Sequence, residues 1–394
     1  MSVAYAERMN RVHKSFIREI LKVTQDPSII SFAGGLPNPA SFPKKEIAQA
    51  AAAVLSECGD SALQYETTEG YLPLREYIAK RYARRGLNVD ASDVMIISGS
   101  QQGIDLSGKA FIDKGDSVLV ERPTYLATLQ SFGMYRPEFR SMPLLDDGPD
   151  TGVMTQLLDD SYIKLFYAVP NFQNPTGITY SLKKRKEVAS LLNEHGTAFV
   201  EDDPYGEIRF IGDDLPPVKK YLEETVLLGS FSKIVAPGMR LGWLVAPPET
   251  MEKIIIAKQA TDLHTSIFSQ MVVYQYLMAN DVDAHIEKIR ALYRRQRDAM
   301  VDAIERHFPD GVQCTRPEGG MFLWATLPEG ISSLELFDIA IKDKVAFVPG
   351  QAFFADDGTG QNTMRLNYTN SGVDSIEQGI ALLGKAIGRL QGRR

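Results

Sequence analysis

The chain has 394 residues, 44% hydrophobic and 24% charged, with a formal charge of -7 from 50 acidic and 43 basic residues. These proportions suit a globular protein of two or three folding units and exclude disordered, collagen-like and single-module readings. The basic residues are scattered, which disfavours nucleic acid as a partner, and the two cysteines, Cys58 and Cys314, lack the spacing of a disulfide framework or a zinc site.

The N-terminal stretch "MSVAYAERMNRVHKSFIREIL" reads as a charged amphipathic helix. No segment approaches the roughly 18 apolar residues of a membrane span, so a soluble, unprocessed chain in a reducing cytoplasm is expected. "SFAGGLPNPASFP" follows, where Gly34, Gly35, Pro37, Pro39 and Pro43 interrupt regular structure. Residues 1–45 therefore read as an arm packed on the rest.

From 46 to 280 short apolar runs alternate with helix-length amphipathic segments. The runs are "DVMIIS", "DSVLVE", "IKLFYAV", "TAFVED", "TVLLGS" and "LGWLVA". Apolar runs without strict alternation suit strands covered on both faces, so the expected fold is α/β, with a mainly parallel sheet between helices. The basic runs "KRYARRG" and "LYRRQR" fall in helical patterns and read as solvated faces. Residues 281–394 combine a long helix with short strands, "PEGGMFLWATL", "VAFVPGQAFF" and "TMRLNYT" among them, and read as a smaller α+β domain.

In parallel sheets ligands gather at the carboxyl ends of the strands. "SGSQQG", "RPTY", "PNFQNPTG", "EDDPY" and "SFSK" all fall there, and five such ends predict one composite site. In "LLGSFSKIVAPGMRLGW", Lys233 at a strand end can lose its proton and attack a carbonyl. Ser230, Ser232 and Arg240 form a donor set for a phosphate dianion. An aldehyde beside a phosphate suggests pyridoxal 5'-phosphate; serines capping a turn and a surface-paired arginine are the structural alternative. Ser100 and Gln101, at a helix start expected before Ile104, could add phosphate donors, or the glycines around them could simply make a tight turn.

Asp202 ends an apolar strand, where a carboxylate needs a positive partner such as a protonated pyridine nitrogen. A helix cap, or a metal cluster with Glu201 and Asp203, is the alternative. Tyr205 and Asn174 could donate to a phenolic oxygen, and Tyr125 could stack on a heterocycle or pack on the core. Arg365, on an expected strand, suits a substrate carboxylate or an internal salt bridge.

Taken together, "PNFQNPTG", "EDDPY", "SFSK" with Arg240 seven residues on, and "MRLNY" resemble the class I/II aminotransferases of the fold-type I pyridoxal-phosphate enzymes. The resemblance runs in order over nearly the whole chain. "SFAGGLPNPASFP" and "LQYETTEGYLPLREYIAKRY" make it look most like the 2-aminoadipate/kynurenine/branched-chain branch, known for broad substrate use.

The resemblance implies that Lys233 forms the Schiff base and shuttles protons, that Asp202 pairs with the ring nitrogen, and that Asn174 and Tyr205 bond the ring oxygen. Tyr125 would stack on the ring, while Ser100, Gln101, Ser230, Ser232 and Arg240 would bind phosphate. Tyr65 would reach across a homodimer interface to the neighbouring phosphate. Arg365, with Asn174 and Gly35 nearby, would hold the substrate. The implied reaction moves an amino group between an L-amino acid and a 2-oxo acid such as 2-oxoglutarate by a ping-pong course. Another reaction on the same cofactor, β-elimination or decarboxylation, and a slow-turnover sensing role stay open. No arginine is identifiable as a reader of a second substrate carboxylate.

Overall fold

All six apolar runs become strands of one eight-stranded sheet in the computed structural model, which describes residues 3–10, 20, 26–356 and 358–392. Most of the expected N-terminal amphipathic helix lies outside the described residues. The strands, in chain order, are β1 (Ile30–Ser31), β2 (Val94–Ile97), β3 (Ser117–Arg122), β4 (Glu138–Leu145), β5 (Gly148–Pro149), β6 (Ile163–Ala168), β7 (Ala198–Asp203), β8 (Thr225–Ser230), β9 (Gly242–Val245), β10 (Gln313–Cys314), β11 (Phe322–Thr326), β12 (Val345–Ala346), β13 (Val348–Pro349) and β14 (Thr363–Asn367).

The large sheet runs β2-β9-β8-β7-β6-β3-β4-β5. The β8–β7, β7–β6, β6–β3 and β3–β4 pairs are parallel; β9 is antiparallel to both β2 and β8. β9 reverses because no helix-length crossover separates it from β8, only the segment 231–241. β8 is buried at every position and β2 likewise, which is why their sequences carry no alternation. β4, "EFRSMPLL", and the two-residue β5 paired with it are the strands of this sheet that the apolar reading missed. Glu138, Arg140 and Pro143 interrupt the hydrophobicity of β4, as suits a half-exposed strand near the sheet margin.

Helices cover the sheet and are stopped by ordinary local chemistry. Asp150 caps the helix Thr151–Asp160 by accepting from Gly152 N and Val153 N, and Ser181 caps Leu182–His195 through Lys184 N. Gly196, at φ 63°, ends the latter. The helix after β2 starts at Ser100, earlier than the apolar periodicity from Ile104 implied.

β10, β11, β14 and β13 form an antiparallel sheet in that order, packed against the helices Val282–His307 and Val373–Gln391. A Cβ at Gly384 would run into the His307 carbonyl, so glycine lets these two helices meet. β1 pairs in parallel with β12, and Asn367 N donates to Phe32 O at 2.8 Å. The segment around residue 33 is thereby fixed beside β14. Among the described residues no helix is long and apolar enough to cross a membrane.

Candidate active site

The expected strand ends converge on one cavity of about 180 Å³, whose walls include Ser100, Gln101, Tyr125, Asn174, Asp202, Tyr205, Ser230, Ser232, Lys233 and Arg240. After β2 the chain turns at Gly99, φ 83°, and the helix Ser100–Phe111 begins with its first N–H groups at this cavity. A Cβ on Gly99 would stand 2.9 Å from Arg240 Nη2, so the glycine admits the guanidinium. Arg240, itself at φ 52°, donates from Nη2 to Ser98 O at 3.0 Å. Ser230 Oγ accepts from Ser232 N at 3.1 Å. Together these groups make a positive, donor-rich end.

A network that sequence reasoning missed holds this turn. Gln102 Oε1 accepts from Ser98 N at 2.8 Å and from Lys258 Nζ at 2.9 Å. Lys258, buried, also donates to Asp262 Oδ1 at 2.7 Å and Thr265 Oγ1 at 3.0 Å. No local sequence signal joins positions 102 and 258.

Asp202 closes another wall. Strand alternation separates it from its neighbours: Glu201 accepts from Val218 N and Lys219 N, both at 2.9 Å, while Asp203 accepts from Asn171 Nδ2 at 2.8 Å and Gly206 N at 2.9 Å. The three carboxylates therefore do not share a site. Asp202 is 3% exposed; Oδ2 accepts from Tyr167 at 2.8 Å, and Oδ1 is buried with no partner among the described residues. Burial pushes this carboxyl up to about 7, against the pull of the Tyr167 hydrogen bond. Tyr167 was read from the sequence only as part of an apolar strand.

Lys233 stands just beyond β8, its side chain half-buried and Nζ donating to Gly35 O at 3.3 Å. Burial, reinforced by the charges of Arg365 and Arg240, holds its ammonium down to about 8. Compared with an ordinary lysine, that raises the neutral fraction at pH 7 by roughly two orders of magnitude or more.

Arg365 adjoins this wall from β14. It donates from Nη1 to Asn174 Oδ1 and from Nη2 to Ala33 O, both at 2.8 Å, and its guanidinium lies between the rings of Phe322 at 4.3 Å and Phe353 at 5.0 Å. Both acceptors are neutral and Nε is buried with no partner, so the internal salt bridge is not formed among the described residues. Burial lowers Arg365 to about 10. Such a guanidinium has unmet demand for an anion. Tyr205 is buried, its ring edge-on to Phe322 at 6.1 Å, and burial raises its phenol. Gly35 lies against the Phe322 ring, 3.4 Å from where a Cβ would sit.

Tyr65 is the one expected site residue away from this cavity. It projects from the surface, 79% exposed, with its ring edge-on to His264 at 5.7 Å. The basic run around Arg84 is occupied by ion pairs: Arg81 with Glu207 and Asp283, Arg84 with Asp283 and Arg85 with Asp203.

Residues 33–380 match the family model of aminotransferase class I and II. The chain belongs to that family. The aminotransferase is 43% identical over 394 residues to aromatic-amino-acid aminotransferase 1 of Thermococcus litoralis, with 97% of this chain and 94% of the relative aligned. It is 42% identical over 391 residues to the 2-aminoadipate transaminase of Thermus thermophilus, covering 98% and 97%. Among solved structures it superposes on the kynurenine aminotransferase of Pyrococcus horikoshii, in complex with PMP, with a TM-score of 0.94, 43% identity and coverage of 98% and 97%. The expected fold, the type I fold of pyridoxal-phosphate enzymes, is thus the observed one, and this aminotransferase is a transferase that works with pyridoxal 5'-phosphate. The unpartnered Asp202 oxygen, the low lysine and the donor-rich helix start fit the nitrogen, aldehyde and phosphate of that cofactor.

Proposed function

We propose that the cavity binds pyridoxal 5'-phosphate with Lys233 as its covalent attachment point and Asp202 Oδ1 against its ring nitrogen. Asn174 and Tyr205 face the ring oxygen and Tyr125 stacks on the ring. Ser100, Gln101, Ser230, Ser232 and Arg240 receive the phosphate. Tyr65 serves the phosphate of a neighbouring copy in a homodimer, a role that its exposure supports. The arm 1–45, a large cofactor-binding unit 46–280 and a small unit 281–394 enclose the substrate, and the cytoplasm is the compartment that a chain with two free cysteines suits.

Arg365, already paired with Asn174, holds the α-carboxylate, and Gly35 leaves room beside it. When bound, the cofactor's ring withdraws electron density from the substrate Cα. Asp202 would hold the ring nitrogen in its protonated form through Oδ1. The Lys233 amine, which lines the same cavity, would be freed by the incoming amino group and would then take and return the substrate's Cα proton; such positioned proton transfer is worth about 10²–10⁴-fold. Water would supply the oxygen of the departing oxo acid while the amino group stayed with the cofactor, and a second oxo acid, with 2-oxoglutarate the first candidate, would take up that amino group and release water as the steps ran backwards. Donors with long or aromatic side chains are favoured by the names of the relatives at 42 and 43% identity.

The observation that carries this reading is the convergence of Lys233, Asp202 and Arg240 on one cavity, with Arg365 buried beside it and bonded, among the described residues, only to the neutral acceptors Asn174 Oδ1 and Ala33 O. A panel of amino acids, each added alone to the holoenzyme, tests it. The visible cofactor band should disappear with one equivalent of oxo acid released, and return on adding 2-oxoglutarate. Continuous release of ammonia without an acceptor would replace transamination by elimination.

A further inference from the structure

Asp202, in the wall of the cavity, has its carboxylate split between a filled oxygen and one without a partner among the described residues. Oδ2 takes the Tyr167 hydroxyl at 2.8 Å; Oδ1 is buried without a partner among the described residues. The two residues come from neighbouring strands. In the β6–β7 register Tyr167 stands opposite Val200, so Asp202, two positions on, shares a face with Tyr167 and lies on its diagonal, within reach of a long side chain. Tyr167 is fully buried, and its ring packs edge-on against Phe132 with centroids 6.0 Å apart. The phenol thus has little freedom to swing away.

We propose that Tyr167 is a positioning residue for the cofactor's ring nitrogen: by occupying Asp202 Oδ2 it fixes the carboxyl rotamer, favours the charged form and leaves Oδ1 as the acceptor for the ring N–H. The proposal rests on the assignment of Asp202 to the ring nitrogen. Its chemistry is one-directional. Burial and the Asp202 charge raise the phenol well above its usual range, so the hydroxyl remains a donor, and a donor to a carboxylate opposes the cost of burying that charge. Without it, a carboxyl pushed up to about 7 by burial would be drawn toward the neutral acid, which has less to offer a pyridinium.

The test compares two probes on apoenzyme of the full chain: pyridoxal 5'-phosphate, and its 1-deaza analogue with C–H in place of the ring nitrogen. Wild type should bind the first more tightly, and Asp202→Asn should abolish the preference. Tyr167→Phe, which removes one oxygen, should lower the affinity ratio by about tenfold or more while the protein stays folded by circular dichroism. Phe132→Leu, which loosens the packing but keeps the hydroxyl, should leave the ratio at the wild-type value. A ratio in Tyr167→Phe within about twofold of wild type, with Asp202→Asn still losing it, overturns the proposal and spares the Asp202 assignment. An equal loss in Phe132→Leu overturns it in favour of packing. A preference retained in Asp202→Asn removes the assignment itself, and this proposal with it. Should Tyr167→Phe not fold, 3-fluorotyrosine at position 167 keeps the shape and makes the hydroxyl more acidic; the ratio must then move, and an unchanged ratio overturns the proposal.

Discussion

Arg365 and Asn174, 191 positions apart in the chain, meet through a 2.8 Å hydrogen bond from Nη1 to Oδ1. The contact ties the small antiparallel sheet to the loop after β6 and sets one buried cation beside the cavity that Asn174 lines.

Replacing Arg365 by Leu should raise KM for amino acid and oxo acid alike by about 10- to 100-fold, the worth of one or two hydrogen bonds to a charged group. Arg365→Lys should recover only part of this, because an ammonium lacks the two-pronged geometry. Steady-state kinetics with both substrates checks it; an effect on one substrate alone would move the carboxylate to another residue.

Lys233→Ala should bind pyridoxal 5'-phosphate but show no band from a covalent adduct, and its turnover should fall by at least the 10²–10⁴-fold typical of a lost proton shuttle. Absorbance spectroscopy and single-turnover assays read both. An active Lys233→Ala enzyme would dismantle the site.

The lysine also dictates a pH dependence. Its folded value, about 8, lies below the ordinary 10.5, so between those limits the unfolded chain holds the extra proton. Apoenzyme stability from this residue should therefore rise with pH between about 8 and 10.5. Reaction of apoenzyme with pyridoxal 5'-phosphate needs the neutral amine, and its rate at fixed cofactor should climb with pH through a midpoint near 8 and level off above it. Because the Arg365 charge helps hold the amine down, the midpoint should move upward in Arg365→Leu. An unmoved midpoint would leave burial and the Arg240 charge as the causes.

Gly229 in β8 faces the Trp243 indole of β9 so closely that an added Cβ would collide with the ring. Gly229→Ala should cost about 1–3 kcal/mol by overpacking, seen as a lower denaturant midpoint. Since Ser230 follows directly, cofactor retention should weaken too.

Mixing Tyr65→Ala with Lys233→Ala tests the homodimer. If Tyr65 serves the neighbouring site, each mixed dimer contains one intact site, and random re-pairing should restore roughly a quarter of wild-type activity. No recovery after verified exchange would confine Tyr65 to its own chain.

Six strands of the large sheet and the residues at its carboxyl edge were legible because buried strands are written as unbroken apolar runs, each ending where polar chemistry begins; their order in the sheet was not. Lys233 and Asp202 could be named for that reason, and Arg240 from its spacing seven residues after Lys233. β4 escaped because a half-exposed strand with Pro143 inside it has no such signature. Tyr167 escaped because its hydroxyl matters only through the β6–β7 register. The Gln102–Lys258 network and the Phe322–Arg365–Phe353 stack escaped for the same cause, contacts between distant segments. Local periodicity and residue chemistry thus determined which side chains stand at the strand ends. Only tertiary packing decided how deeply each is buried and which neighbour it meets, and those two quantities set the charge states of Lys233, Asp202 and Arg365.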